Sequence, residues 1–137
     1  MFLIFLTEEE KEQYLNLAVI AANTNGSLEE DEKEMINGYQ REMNISLEST
    51  ELCSNCSEDS VFRFFSASER SHKKIVLFEI IGLLACDRSF DEDEKRFVLR
   101  LSKAIGLSSE EVDAISQLAL QYFDIVVEIA SNIFVDQ

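Results

Sequence analysis

Acidic side chains are grouped at one turn in the second half of the chain, where their spacing could hold a divalent cation. Asp87 is followed by Asp91 and Glu94, so three carboxylates lie four and three positions apart. Carboxylate oxygens are the ligands that hard cations prefer, and clustered carboxylates repel one another until a cation or a basic partner neutralises them. The sequence therefore predicts that a divalent cation, if the chain binds one, is held by Asp87, Asp91 and Glu94.

The same residues also fit a purely structural interpretation. Asp91 stands where a helix would begin and Glu94 follows three residues later, which is the pattern of a capping box. In that case both side chains bond the first turn of the helix, and Asp87 stabilises the corner before it. Arg88 lies within the cluster and would neutralise part of its charge. Both interpretations stay open at this point.

A second and weaker acidic corner lies 62 positions earlier in the chain. Asn25, Glu29 and Glu32 occupy there the places of the three carboxylates. Because Asn25 is a neutral ligand, a cation is expected at the later corner rather than at this one. Neither corner fits an EF-hand, since Ala21 stands where that calcium loop needs an acid, and Arg88 stands where it needs a glycine.

The cysteines give a weaker signal. Cys53 and Cys56 form a single CxxC pair, whereas a zinc site needs two more ligands at a paired spacing. We therefore predict that residues 44–59 form a loop that binds no zinc. Cys86 ends an apolar stretch and is predicted to lie in the core.

That apolar stretch, residues 75–86, carries one charge, Glu79. As a helix it would be buried on most faces, and at about 18 Å it is too short to cross a membrane. Glu79 is expected to reach the rim of the core or to pair with an arginine such as Arg70 or Arg100. His72, the only histidine, has no recognisable triad partner and is predicted to lie on the surface.

Helix-start signals and a 3.6-residue apolar period predict the other elements. Thr7 and Glu10 form a capping box, and Gly106 is a helix C-cap. Residues 1–6 should pack on the domain or fray. Helices are predicted at about 8–23, 27–43, 61–65, 91–105 and 109–134, the last with a break near Phe123 and Asp124.

Composition limits the class of protein. The 137 residues include no proline, are 46% hydrophobic and carry a formal net charge of −15. This predicts one all-α domain over residues 1–137, and it argues against partners such as nucleic acid or anionic lipid. No membrane span is expected. An odd number of cysteines and the lack of a secretory leader predict a cytoplasmic location.

The two acidic corners belong to an internal repeat with units at about 10–45 and 73–107, because residues 25–33 align with residues 87–95. The corners resemble those of the TerB-like (tellurite-resistance TerB) superfamily, which read roughly Ala-Asp-Gly-x-hydrophobic-Ser/Asp-x-x-Glu. The chain departs from this pattern at Asn25, where the family has Asp, and at Arg88, where it has Gly. The matching positions are Asp87, Phe90, Asp91 and Glu94 in the second unit and Gly26, Leu28 and Glu32 in the first.

The resemblance implies an all-α fold, a link to tellurite and stress resistance and an acidic, metal-binding surface, and it does not imply a reaction. Together with the repeat it predicts a compact bundle of about six or seven helices, built from two helix–acidic corner–helix units plus a C-terminal helix. The expected function is that of a non-enzymatic acidic module acting through a protein partner or a divalent cation. The sequence does not predict its oligomeric state. The alternative is a metal-dependent hydrolase or other metalloenzyme that uses the acidic corners.

Overall fold

Helices make up all the regular structure in the computed structural model, which describes residues 2–24, 30–45, 57–86 and 90–134. The predicted all-α bundle is confirmed, since these ranges contain six α-helices and no strand. A 3₁₀ turn at Leu3–Phe5 precedes them and a π-helical segment at Ala130–Phe134 follows them. The helices are α1 Glu8–Ala22, α2 Glu30–Met43, α3 Glu58–Ser66, α4 Arg70–Leu84, α5 Glu92–Ile105 and α6 Ser109–Ile129.

The apolar stretch forms most of α4, which lies at the centre of the bundle as predicted. It contacts α1, α2, α5, α6 and the N-terminal 3₁₀ turn. Burial on so many sides follows from its composition, because a helix that is apolar all round must find apolar partners all round. Its fully buried side chains are Val76, Leu77, Ile80, Ile81, Leu83 and Leu84.

Three helices begin with the same side-chain arrangement. In α1 the Glu10 amide donates to Thr7 Oγ1 at 3.1 Å, and the Thr7 amide donates to Glu10 Oε1 at 2.8 Å. The same reciprocal capping box opens α5 and α6. Each box bonds amides that have no partner within the helix, so the chain itself fixes where these helices start.

The helix bounds repeat at the offset found in the sequence. α1 and α4 have 15 residues each, and α2 and α5 have 14 each. The ends also match, because Asn44 after α2 and Gly106 after α5 both have positive φ, 56° and 84°. The turns around Asn25 and Asp87, where the two units were expected to superpose, lie outside the described residues.

Two boundary predictions were wrong. The break expected near Phe123 and Asp124 does not occur, since α6 runs unbroken to Ile129. Neither glycine nor proline lies in that stretch to interrupt it. The short aromatic helix starts earlier than predicted, at Glu58, because Ser57 caps it by accepting a hydrogen bond from the Ser60 amide.

The N-terminal segment packs on the domain, as one of the two predicted outcomes. Leu3 and Leu6 are buried, and the Phe2 ring makes an edge contact with Phe78 of α4, with centroids 5.5 Å apart. The Leu3 amide also donates to Glu42 Oε2 at 3.1 Å. These contacts fix the segment against α2 and α4.

Replacement of Gly106 or of Gly82 by alanine should change the free energy of unfolding in opposite directions. Gly106→Ala should lower the free energy of unfolding by about 1 kcal/mol, because φ of 84° is unfavourable for any residue with a Cβ. Gly82→Ala should raise it by about 0.5–1 kcal/mol, because a Cβ within α4 meets no atom within 4 Å and alanine favours helix. Urea denaturation of both variants measures this, and the same sign in both would contradict the backbone assignment.

Candidate functional site

Two of the predicted cation ligands, Asp91 and Glu94, form the capping box of α5. The Glu94 amide donates to Asp91 Oδ1 at 2.8 Å, and the Asp91 amide donates to Glu94 Oε1 at 3.0 Å. Glu94 is buried, with 2% of its surface exposed. The structural interpretation is therefore correct for these two residues. The cation hypothesis stays a prediction, because Asp87 lies outside the described residues.

The first corner is described only in part. Asn25 and Glu29 lie outside the described residues, as do Cys53 and Cys56. Glu32 is the third residue of α2, the place that Glu94 holds in α5, and it is equally buried. Within the described ranges no three His, Cys, Asp or Glu side chains are grouped as a metal site requires.

His72 was predicted to lie on the surface, and that prediction was wrong. Its side chain is only 16% exposed, and Nδ1 lies 2.7 Å from Glu10 Oε1 of α1. The second ring nitrogen, Nε2, lies 3.4 Å from Glu69 Oε1. This pair could not be predicted from local sequence, because its two residues are 62 positions apart and meet only when α1 packs on α4.

This pair resembles half of a catalytic triad, in which a carboxylate orients an imidazole. However, the free side of the His72 ring faces the Glu69 carboxylate rather than a nucleophile. Burial raises the pKa of Glu10, but hydrogen bonds, first of all from the Thr7 amide, lower it more, so the net pKa lies below its usual value. The arrangement holds Glu10 as an anion that joins two helices, and the Ser68 side chain is a further hydrogen-bond partner of this carboxylate.

Glu79 was expected at the rim or paired with an arginine, and the structure gives it a different partner. It is buried, and its Oε1 accepts a hydrogen bond from the Phe2 amide at 3.0 Å. Arg70 lies nine residues earlier on the same helix, about 13 Å away, and binds Glu111. Arg100 binds Glu58 of α3 at 2.9 Å. Cys86, predicted in the core, is half-buried just after α4.

A row of exposed apolar side chains lies on α6, and it was not predicted from the sequence. Only Val112, Ile115 and Ala119 of this helix are buried. Beyond them an apolar row continues into solvent at intervals of seven, four and four positions, which places its members on one side of the helix. We call this row the α6 stripe: Leu118, Ile125, Ile129 and Ile133, exposed by 58%, 54%, 46% and 67%.

The stripe borders a shallow depression of about 360 Å³, lined by Ile125, Glu128, Ile129, Asn132 and Ile133. The stripe adjoins the core at Tyr122, whose ring centroid lies 5.8 Å from that of Phe78 on α4. A signal for this surface was present, because residues 118–129 hold more apolar side chains than one buried face accommodates. No helix in the described ranges, α6 included, has the length and apolarity to cross a membrane.

The start of α6 is fixed electrostatically to α4. Glu111 closes the capping box with Ser108, and its carboxylate also binds both Arg70 and Lys74, with Arg70 Nε 2.9 Å from Oε2. The hydrogen bond from the Ser108 amide, followed by that from Arg70, lowers the pKa of Glu111 to about 2. The helix is thus held at its N-terminal end, while the stripe lies towards its other end.

Glu111 should stabilise the fold in a pH-dependent way. Its folded pKa of about 2 lies below the ordinary value of 4.5, so its contribution is present above pH 4.5 and is lost as the pH falls towards 2. Glu111→Gln should therefore lower Tm at pH 7, and the difference from wild type should shrink between pH 4.5 and 2. Thermal denaturation across this range measures it. Glu110→Gln is the control, and an equal loss in that variant would contradict the role of Glu111.

The cation hypothesis for the second corner has its own test. Calcium, magnesium or zinc should raise Tm saturably if the corner binds the ion, because a ligand that binds only the folded state stabilises it. Asp87→Asn should abolish the shift, and Asp113→Asn on α6 should keep it. If no ion shifts Tm, or if Asp87→Asn responds like wild type, the hypothesis is wrong.

Comparison with known proteins found no relative of this chain. No family model matches the chain, and neither the curated proteins nor the solved structures contain a significant match.

Proposed function

We propose that the chain is a non-enzymatic helical module that acts by binding a protein partner on the α6 stripe. The observation that carries this proposal is the exposure of four large aliphatic side chains on one side of one helix. Single exposed apolar residues are ordinary on protein surfaces, whereas contiguous apolar rows bordered by polar residues mark interaction sites. Leu99 on α5, 62% exposed, is an example of the ordinary kind.

The geometry of the buried polar groups supports a binding role rather than a catalytic one. Two of the buried carboxylates, Glu10 and Glu94, are each used in a helix cap, and a third, Glu79, accepts the Phe2 amide. His72 lies between two carboxylates. The alternative of a metal-dependent hydrolase at the acidic corners is not favoured by any grouping among the described residues.

The resemblance of the acidic corners to the TerB-like superfamily gives the proposal a biological setting. It suggests a module that works in the cytoplasm in the response to tellurite or to related stress. A divalent cation at Asp87, Asp91 and Glu94 would be a second element of such a module. The partner site on α6 does not depend on that cation, so the two parts are testable separately.

A photo-cross-linking amino acid in place of Ile125 should give one discrete adduct in cells that produce the protein. The adduct should disappear when Ile129→Glu is added, because a charge in the stripe removes apolar burial at the interface. The same cross-linker in place of Leu99 is the control and should give no such adduct. Gel mobility and mass spectrometry identify the product.

An adduct that persists with Ile129→Glu, or that forms equally from the Leu99 position, would contradict the proposal. Circular dichroism of each variant separates lost binding from lost folding. The replaced side chains are 54%, 46% and 62% exposed, so the fold should tolerate the changes.

A further inference from the structure

The charged side chains of α6 itself all have one sign. After Lys103 the chain contains no lysine, arginine or histidine, whereas it contains six aspartate and glutamate residues. Glu111 is compensated by Arg70 and Lys74 of α4. The others have no basic residue of their own helix to pair with, so every charged side chain in the second half of α6 is acidic.

Two of these carboxylates lie near the stripe, Glu128 next to it and Asp124 one turn before Glu128 on the adjoining side of the helix. Asp124 precedes Ile125 directly, and Glu128 follows it three positions later, which makes Glu128 and Ile125 neighbours on the helix surface. Both acids are exposed, and among the described residues neither forms an ion pair. Because they are four positions apart, their like charges also destabilise the helix slightly. A cationic group brought to this side would relieve that repulsion.

We infer that the partner segment on the α6 stripe is a basic amphipathic helix, an inference that rests on the proposed function. Its apolar side covers Leu118, Ile125 and Ile129, and its lysines or arginines meet Asp124 and Glu128. The stripe extends over residues 118–133, about 22 Å along the axis, which equals about four turns of a partner helix. Helix recognition by an apolar face with anchors at i, i+3, i+4 and i+7 is a common mode of binding.

A second copy of the chain fits this surface less well. It would bring another Asp124 and another Glu128 to the interface without any cation, and each copy carries a net charge of −15. Like charges placed opposite each other across an interface cost binding free energy. An extended peptide is also disfavoured, because it gains affinity by adding to a sheet edge, and the described ranges contain no strand.

Three synthetic peptides of about 18 residues test the inference, each long enough to cover the stripe. The first combines leucines at i, i+3, i+4 and i+7 with lysines elsewhere, the second replaces every lysine by glutamate, and the third scrambles the first. Fluorescence anisotropy with the full chain should show saturable binding of the first peptide alone. Ile125→Asp should raise its Kd at least about thirtyfold, as for the loss of a central anchor.

The charge contribution is measured with the double variant Asp124→Asn and Glu128→Gln. It should raise the Kd of the lysine peptide about tenfold and reduce its dependence on salt, because two exposed ion pairs are lost. The matched control, Asp113→Asn with Glu110→Gln, removes two acids nearer the start of α6 and should change Kd less than twofold. Leu99→Asp should leave binding unchanged.

Each of the following outcomes overturns the inference, and all but the last leave the proposed function in place. Equal binding of the glutamate and lysine peptides would show an apolar site without charge selection. A concentration-dependent dimer in analytical ultracentrifugation, dissociated by Ile125→Asp, would assign the stripe to a second copy. A cross-link at Ile125 without binding of any peptide would keep a protein partner but exclude a basic helix. Failure of both the cross-link and the peptides would overturn the proposed function itself.

Discussion

The structure depends on the burial of α4 from every side. Five elements contact this helix, and each fully buried aliphatic side chain contributes about 1.5–3 kcal/mol relative to exposure. The apolar part of α4, residues 75–84, carries no other charged side chain, so its one buried carboxylate must be satisfied from elsewhere. Glu79 accepts the Phe2 amide, and its backbone carbonyl accepts the Tyr39 hydroxyl at 3.2 Å. The placement of the N-terminal segment is therefore linked to a single acid in the core.

The repeat explains how the other helices surround α4. α1 and α2 correspond to α4 and α5 at one constant offset, and the turns that end the second helix of each pair use equivalent hydrogen bonds. The Ile45 amide donates to the Gln40 carbonyl at 3.0 Å, and the Leu107 amide donates to the Ser102 carbonyl at the same distance. Glu10 and His72 are themselves equivalent positions, and they contact each other. Two units related by a two-fold axis bring equivalent residues into contact. The Glu10–His72 contact is of this kind, between two halves of one chain.

This relation explains which parts of the fold could be predicted from sequence. Helix starts are encoded locally, because a cap such as Thr7 with Glu10 needs only residues three apart, and the apolar period identifies the buried face. Contacts between halves are not encoded locally, which is why the pairing of His72 and of Glu79 was missed. The same buried caps bear on the candidate cation site. A carboxylate such as Glu94 already bonds an amide in a buried position, so a cation must compete with that bond.

α3 and α6 follow the paired helices of the two halves and differ in length, with 9 and 21 residues. α3 is used for the core, where Phe62 packs on Phe97 with ring centroids 5.6 Å apart. The buried side chains of α6 end at Ala119, and beyond them Tyr122 still contacts Phe78 of α4 while most of the later side chains are exposed. Helices in proteins are stabilised mainly by packing of their apolar face. The exposed apolar side chains after Ala119 gain no such packing within the described ranges of this chain. The packing of this chain therefore does not account for the apolar side chains of the α6 stripe. A partner that covered the stripe would bury them.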